Sequence, residues 1–570
     1  MLPLPAALIA LACTVLIYPL TARPGQGADL VFRGGAVYTV DENRSWAEAV
    51  AVSDGKIVFV GDDGGAAGHI GPGTRVIDLA GRMLLPGFHD SHMHPMTAGT
   101  RFFRCQLYDL DWPQGVYSAL RECAAGLGKD DWLHGVGLPD EAFEGSGPHK
   151  KLLDELANGH PALISSHNGF EAWVNSRALG LAGIDAETAN PDHGVIERDA
   201  ETGQPSGTLR GGAIGLVYPL VRVTETDILR AALQKASEMA NGFGITSVNA
   251  ASVRPEHVRA YQLADRAGEM TLRVQASQYW DFKSGLEQVD EFSQRRDAAA
   301  GNRFKADAAK LFVDGDLFLH SAALLQPYAG SRDDFGRLKV EAGALNTIVA
   351  ELDAAGFQVH MHADGDRAVR NGLGAIEFAI EQNGASDRRH QLAHVELVDS
   401  ADLPRFASLG VAANVQALWA RMGQDTEEKM APLGQERSRR LDPIASFFAS
   451  GAKVVAGSDW ISDSMSPLHG IQVAVTRRPV DGSLPAWLPE ERATLADMIE
   501  AYTINGAWLA RQESKTGSIE TGKAADLIVL DQNLFEVEPM RLGQVRVLLT
   551  LLAGRVVHRN PDFPWAEVTR

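Results

Sequence analysis

Leu84-Leu85-Pro86-Gly87-Phe88-His89-Asp90-Ser91-His92-Met93-His94-Pro95 is the stretch on which the reading of the chain turns. An apolar run ends in a Pro-Gly break, and two histidines then stand two residues apart. On an extended chain, residues i and i+2 point to the same side. His92 and His94 can therefore reach one ion from the end of a single strand. Imidazole suits zinc, iron and other borderline cations. Such a pair also arises by chance on an exposed strand end, and the surrounding pattern separates the two readings.

Downstream, helical and extended stretches alternate. Helical patterns near 226–242, 255–268, 284–299, 342–355, 366–382, 399–409 and 442–450 lead into extended runs at Gly244, Thr271, Ala308, Phe357, His390, Val411 and Lys453. With a first strand at 83–88 they make eight strands separated by helices. That is the pattern of an α/β fold, a parallel (β/α)8 TIM-like barrel over 86–510. A further helix is expected near 494–510. The gap from about 100 to 225 is too long for one crossover and predicts an insertion over the barrel mouth. Residues 29–85 and 511–560 share short strands punctuated by Gly and Asp, as in Lys56-Ile-Val-Phe-Val and Asp526-Leu-Ile-Val-Leu. They predict one small composite β-sandwich domain built from both ends of the chain.

Active sites in such barrels lie at the C-terminal ends of the strands. Read in order, those ends carry His92 and His94, Lys310, His362, His394 and Asp459. Taken singly, each has a dull alternative: a hydrogen-bonded core histidine, a snorkelling lysine, a helix cap. Together they form a constellation that chance placement does not readily produce. His360 shares the strand face of His362 and competes as a ligand. His362 is preferred because it is nearer the loop Ala363-Asp364-Gly365-Asp366.

Composition narrows the partners. A formal net charge of −20 leaves no basic footprint for nucleic acid and fits a small-molecule substrate. The three cysteines, Cys13, Cys105 and Cys123, form no CxxC pair; Cys13 lies in the leader, and a Cys105–Cys123 disulfide stays open. The first twenty residues carry no charged side chain, and Ala6 to Tyr18 are nearly all apolar. Residues 1–28 are expected to be an export signal or an uncleaved membrane anchor. A buried N-terminal helix is the alternative. The protein is thus expected to be exported, periplasmic or secreted, or attached to a membrane through its N-terminus. A homodimer is left open.

The whole set resembles the metal-dependent amidohydrolase superfamily, and within it amidohydrolase family 3, the group related to N-substituted formamide deformylase. The resemblance rests on Pro86-Gly-Phe-His-Asp-Ser-His-Met-His94, Lys310-Leu-Phe-Val-Asp-Gly315, His362-Ala-Asp-Gly-Asp-Arg-Ala368, His390-Gln-Leu-Ala-His394, Gly457-Ser-Asp-Trp460 and Pro467-Leu-His-Gly-Ile-Gln-Val-Ala-Val-Thr-Arg477. It implies that His92 and His94 bind one divalent ion and His362 and His394 a second, most naturally Zn2+, with one or both sites filled. It further implies that Lys310 is carboxylated and bridges them. Asp459 would bind metal and the attacking hydroxide, act as general base, and pass the proton to the leaving nitrogen. The chemistry is sound on general grounds: a metal lowers the pKa of water and polarises a carbonyl, and an amine leaves poorly unless protonated.

The chain also departs from the family pattern. Asn168-Gly169-Phe170 stands where family members often carry Asp-Gly-His. Gln416-Ala417-Leu418-Trp419 stands in place of a Gln-Pro-x-His-like stretch, and Thr208-Leu209-Arg210-Gly211 lacks a Glu often found there. Phe170, Trp419 and Trp460 are expected in the substrate pocket, unless the rings of Phe170 and Trp419 pack in the insertion or behind strand seven. The expected function is a hydrolase of a non-peptide C–N bond in an N-acyl amine, formamide, carbamate or cyclic amide. An ester or lactone hydrolase is the alternative. A non-catalytic binding relative is disfavoured because no ligand is lost.

Overall fold

The structure, a computed structural model, describes residues 27–564 apart from Asp109, Asp130, Asn168, 192–193, 222–225, Ala300 and Ile461. The export segment expected at 1–28 lies outside the described residues as far as 26.

Eight parallel strands form one sheet in sequential order: β1 (Phe88–Met93), β2 (Ile245–Val253), β3 (Arg273–Tyr279), β4 (Phe304–Phe312), β5 (Gln358–Ala363), β6 (Gln391–His394), β7 (Ala412–Val415) and β8 (Lys453–Ala456). The sheet curls until its edges nearly meet. Beyond the end of β8, the Asp459 N–H donates to the His92 carbonyl at 2.7 Å, and the Ser458 N–H to the Asp90 carboxylate at 3.1 Å. Helices alternate with the strands. The one over Thr226–Gly242 buries Leu229, Ala232, Leu233, Ala236 and Ala240. That three- and four-residue spacing gives one apolar face against the sheet.

The first strand divides differently from expectation. The run at 83–88 is not one barrel strand. Met83–Pro86 pairs antiparallel with Leu527–Leu530 and parallel with Ala36–Tyr38, outside the barrel, and β1 starts at Phe88. The break falls at Gly87, where a Cβ would lie 2.4 Å from the Thr246 side chain. The helix expected at 494–510 is likewise two helices, Leu495–Ala501 and Ile504–Leu509. Between them the Tyr502 carbonyl turns away to accept the His89 N–H at 2.6 Å.

Strands from both ends of the chain build a four-stranded and a six-stranded sheet around a core that includes Phe32, Ile77, Leu84, Leu527 and Leu549. Arg273 on β3 clasps Asp526 there through Nε and Nη2, at 2.6 and 3.1 Å. The insertion after β1 carries its own six-stranded sheet, a Cys105–Cys123 disulfide and its own apolar clusters.

Two glycines give opposite expectations. At Gly457 a Cβ would sit 2.4 Å from the His92 backbone nitrogen, which cannot move without opening the barrel seam. Gly457→Ala should lower stability by about 1–3 kcal/mol. Gly374, inside the helix Asp366–Asn383, has nothing within 4 Å of such a carbon. Gly374→Ala should raise stability by about 0.5–1 kcal/mol. Denaturant unfolding of the two variants checks both signs.

Candidate metal centre

The six side chains singled out at strand ends meet at one end of the barrel and line a single cavity of about 430 Å3. His92 is on β1 and His94 just after it; Lys310 is on β4, His362 on β5 and His394 on β6, and Asp459 follows β8. Parallel strands place their C-terminal ends together, so separations of up to 367 residues in sequence collapse to contact distance. The 367 is the difference between positions 459 and 92.

The imidazoles are oriented one by one. Nδ1 of His94 lies 3.0 Å from the Ala251 carbonyl, which leaves Nε2 3.0 Å from Asp459 Oδ1. His92 Nε2 lies 3.6 Å from the same oxygen, and its Nδ1 is 3.1 Å from His360 Nε2. His360 in turn sits 3.0 Å from the Ser277 hydroxyl. His360 thus stands behind His92 and holds its ring, as outer-shell partners of metal-bound histidines do. The His394 ring lies flat on Trp419, with centroids 5.5 Å apart and planes at 5°.

Two overlapping groups of donors could hold a cation: His92, His394 and Asp459, and His362, Asp364 and His394, with the ligand atoms of each within 4.8 Å of one another. Asp364 was not singled out in the sequence. Its only signal was its position two residues after His362, the same spacing as His92 and His94.

Electrostatics keep these groups short of positive charge. Burial drives the His92, His360, His362 and His394 imidazoles well below the ordinary histidine range, and neighbouring rings and Lys310 add to the shift. The rings are therefore neutral, the form that binds metal. Burial likewise pushes the Lys310 ammonium down to about 7, although Asp459 and Asp364 pull the other way. Asp364 is driven well above the carboxylate range by burial, then by Glu396, Asp314 and Asp316. Lys310 Nζ, His394 Nδ1 and Asp364 Oδ1 are buried without a hydrogen-bond partner. Unpartnered buried polar atoms are costly. Three of them facing one cavity, among neutral imidazoles and carboxylates, fit a cation ligated there.

The backbone is strained at the same place. His394 and Asp459 have φ of +74° and +50°. Non-glycine residues in such regions cost roughly 1–3 kcal/mol each and persist where the surroundings over-determine them. Asp314 fixes the adjoining loop by accepting the N–H groups of Ala323, Asp364 and Gly365 at 2.8, 3.1 and 3.0 Å.

Of the three aromatic pocket residues expected, Trp419 lines the cavity. Phe170 is 67% exposed on the insertion, and Trp460 is buried with its ring stacked near Phe102; neither is among the described lining residues. Nor is any other described residue of the insertion. The insertion folds on its own cores, and the walls come from segments after β4, β5, β6, β7 and β8. Those walls include Asp316, Glu396, Arg421 and Lys429, none of which the sequence reading had marked.

The amidohydrolase family matches residues 75–558. The chain is 28% identical to N-substituted formamide deformylase of Arthrobacter pascens, over 93% of this chain and 98% of that one. It is also 28% identical to the protein LONG AFTER FAR-RED 3 of Arabidopsis thaliana, over 95% and 93%. Among solved structures it resembles an uncharacterized metal-dependent hydrolase from Pyrococcus horikoshii, with a TM-score of 0.74 and 23% identity over 90% of this chain and 99% of that one.

His360→Phe keeps a ring in place but loses the contact to His92 Nδ1. Metal affinity should fall about 10–100-fold, read by competition with a chromophoric chelator, with the fold retained by circular dichroism.

Proposed function

The chain belongs to the amidohydrolase family, and from that premise we propose that it hydrolyses a non-peptide C–N bond of a small N-acyl amine, with a divalent metal centre, most naturally zinc, between β1, β4, β5, β6 and β8. The observation that carries the reading is Lys310: a fully buried amine with no hydrogen-bond partner, its Nζ 5.0 Å from the Phe312 ring centroid, among neutral imidazoles and two carboxylates. A free ammonium cannot ligate a cation. A neutral amine can add CO2, losing one proton, to give a carbamate whose anionic oxygens can. Burial lowers the proton affinity of Lys310 to about 7, so the neutral form is populated near neutral pH.

His92, His94, His362, His394, Asp364, Asp459 and carboxylated Lys310 are the groups that would hold metal. A divalent ion bound there supplies Lewis acidity, polarising the scissile carbonyl and making water acidic enough to deprotonate near neutral pH. Asp459, 3.0 Å from His94 and lining the cavity, accepts the proton from the attacking water and returns it to the departing nitrogen. The Trp419 ring, stacked on His394 and with Lys429 Nζ 5.2 Å from its centroid, forms one wall of the cavity. The same residues would also cleave an ester, whose leaving oxygen needs the proton less.

We also infer that the protein works outside the reducing cytosol. The Cys105–Cys123 disulfide supports this, together with the uncharged apolar leader.

Three measurements test the proposal. Metal analysis of purified protein should find bound divalent ion, and chelation should abolish turnover of N-acyl amines. Lys310→Ala should lose metal and activity, with partial rescue by added short carboxylic acids. A fully active, unrescued Lys310→Ala enzyme would remove lysine from the site. Asp459→Asn keeps the size but cannot carry the proton, so kcat should fall about 10²–10⁴-fold, with metal content less affected. Near-normal turnover in that variant would move the base elsewhere.

A further inference from the structure

We propose that the site takes elongated N-acyl amines bound in one direction: the acyl half stays inside near Lys310 and Asp459, and the amine half runs out past Arg421 and Asp463 into a second groove. This rests on the C–N hydrolase reading above and deepens it.

A groove of about 710 Å3 adjoins the 430 Å3 cavity, and the two share Arg421, Asp425, Thr426 and Asp463. The partition between them is thin. In the turn Ala417–Trp419, Trp419 lines the inner cavity and Leu418 the outer groove. The Leu418 carbonyl accepts Arg421 Nη1 at 3.1 Å, and Arg421 Nη2 reaches Asp463 Oδ2 at 2.9 Å. Arg421 follows β7 and Asp463 follows β8, so one ion pair spans the gap between two loops. Each of its side chains is 27% exposed. Partly exposed pairs of this kind contribute little stability, and an arm of substrate can part them at low cost.

Charge sets the direction. The two inner-wall cations of the β7–β8 side are taken: Lys429 by Glu396 at 2.5 Å, Arg421 by Asp463. Asp425, which lines both spaces, and Glu428 on the inner side form no ion pair among the described residues, whereas Asp316, on the inner cavity alone, faces the charges of Lys339 and Lys429. Hydrolysis converts R–CO–NH–R′ and water into R–COO⁻ and R′–NH3⁺. The C–N bond breaks, a C–O bond forms, and both water protons end on nitrogen. Carboxylates at the neck attract the ammonium product and repel the carboxylate. Beyond the neck, Leu418, Met422, Pro479, Val480 and Leu484 give the groove an apolar side suited to an alkyl or aryl arm on the amine.

The test uses the metal-replete full chain and two substrate series. One runs from N-ethylacetamide to N-octylacetamide; the other lengthens the acyl chain up to N-methyloctanamide. kcat/KM should rise at least about tenfold along the first series, from burial of added methylenes, and change little along the second. Val480→Trp fills the groove and should erase most of that rise, through KM. Leu484→Trp serves if the first variant does not fold. Calorimetry with octylamine and octanoate reads the same preference without turnover: octylamine should bind more tightly, and Val480→Trp should weaken it. A gain that follows the acyl series, or one that survives both tryptophan variants, overturns the proposal, as does octanoate binding equal to octylamine. If neither series is cleaved, the C–N reading fails on its own, while the two binding measurements still decide the groove.

Discussion

Water has been stripped from Lys310, and that single desolvation organises the site. A buried ammonium without a partner is a large penalty, so the amine is held near the point of losing its proton. The imidazoles of His92, His362 and His394 are under the same pressure, and burial drives each to its neutral form. The carboxylate of Asp364 is pressed toward protonation for the mirror-image reason. A cation in the cavity resolves all of these at once, because it gives the lone pairs a partner and restores the charge of the acids. The parallel barrel makes the crowding unavoidable. It delivers the ends of separate strands to one place and buries their polar side chains around one cavity.

The site is also the seam of the barrel. The N–H of Asp459 bonds to the carbonyl of His92, and the N–H of His94 to the carbonyl of Trp460 at 3.2 Å. Below them, Asp90 receives the Ser458 hydroxyl at 2.6 Å. Closing the sheet and positioning the donors are therefore one event. The left-handed backbone at Asp459 falls within this seam, where its N–H is held by the His92 carbonyl.

The period of the sequence made the barrel legible. Helix-length polar–apolar runs alternate with short apolar strands from Thr226 onward, and strand ends expose the histidines in order. The division at Gly87 was harder to see. Pro86 and Phe88 sit in one apolar run, and only the pairing of Met83–Pro86 with Leu527–Leu530, more than four hundred residues on, assigns them to different domains. Asp364, Arg421 and Lys429 were hidden for a related reason. A carboxylate or cation in a loop looks like any solvated charge until the fold shows what it faces. Phe170, expected either in the pocket or packed in the insertion, lies 67% exposed on the insertion, a placement that the replaced family position alone did not decide.

His394 belongs to both donor groups and stands between them, with His92 and Asp459 on one side and His362 and Asp364 on the other. His94 lies beside the first pair, its Nε2 3.0 Å from Asp459 Oδ1, and Lys310 is among the same lining residues. Arg421 and Asp463 make none of the seam hydrogen bonds, which run through Ser458, Asp459 and Trp460. The seam residues cannot move without opening the sheet, whereas Arg421 and Asp463 beside them are joined by a single partly exposed ion pair.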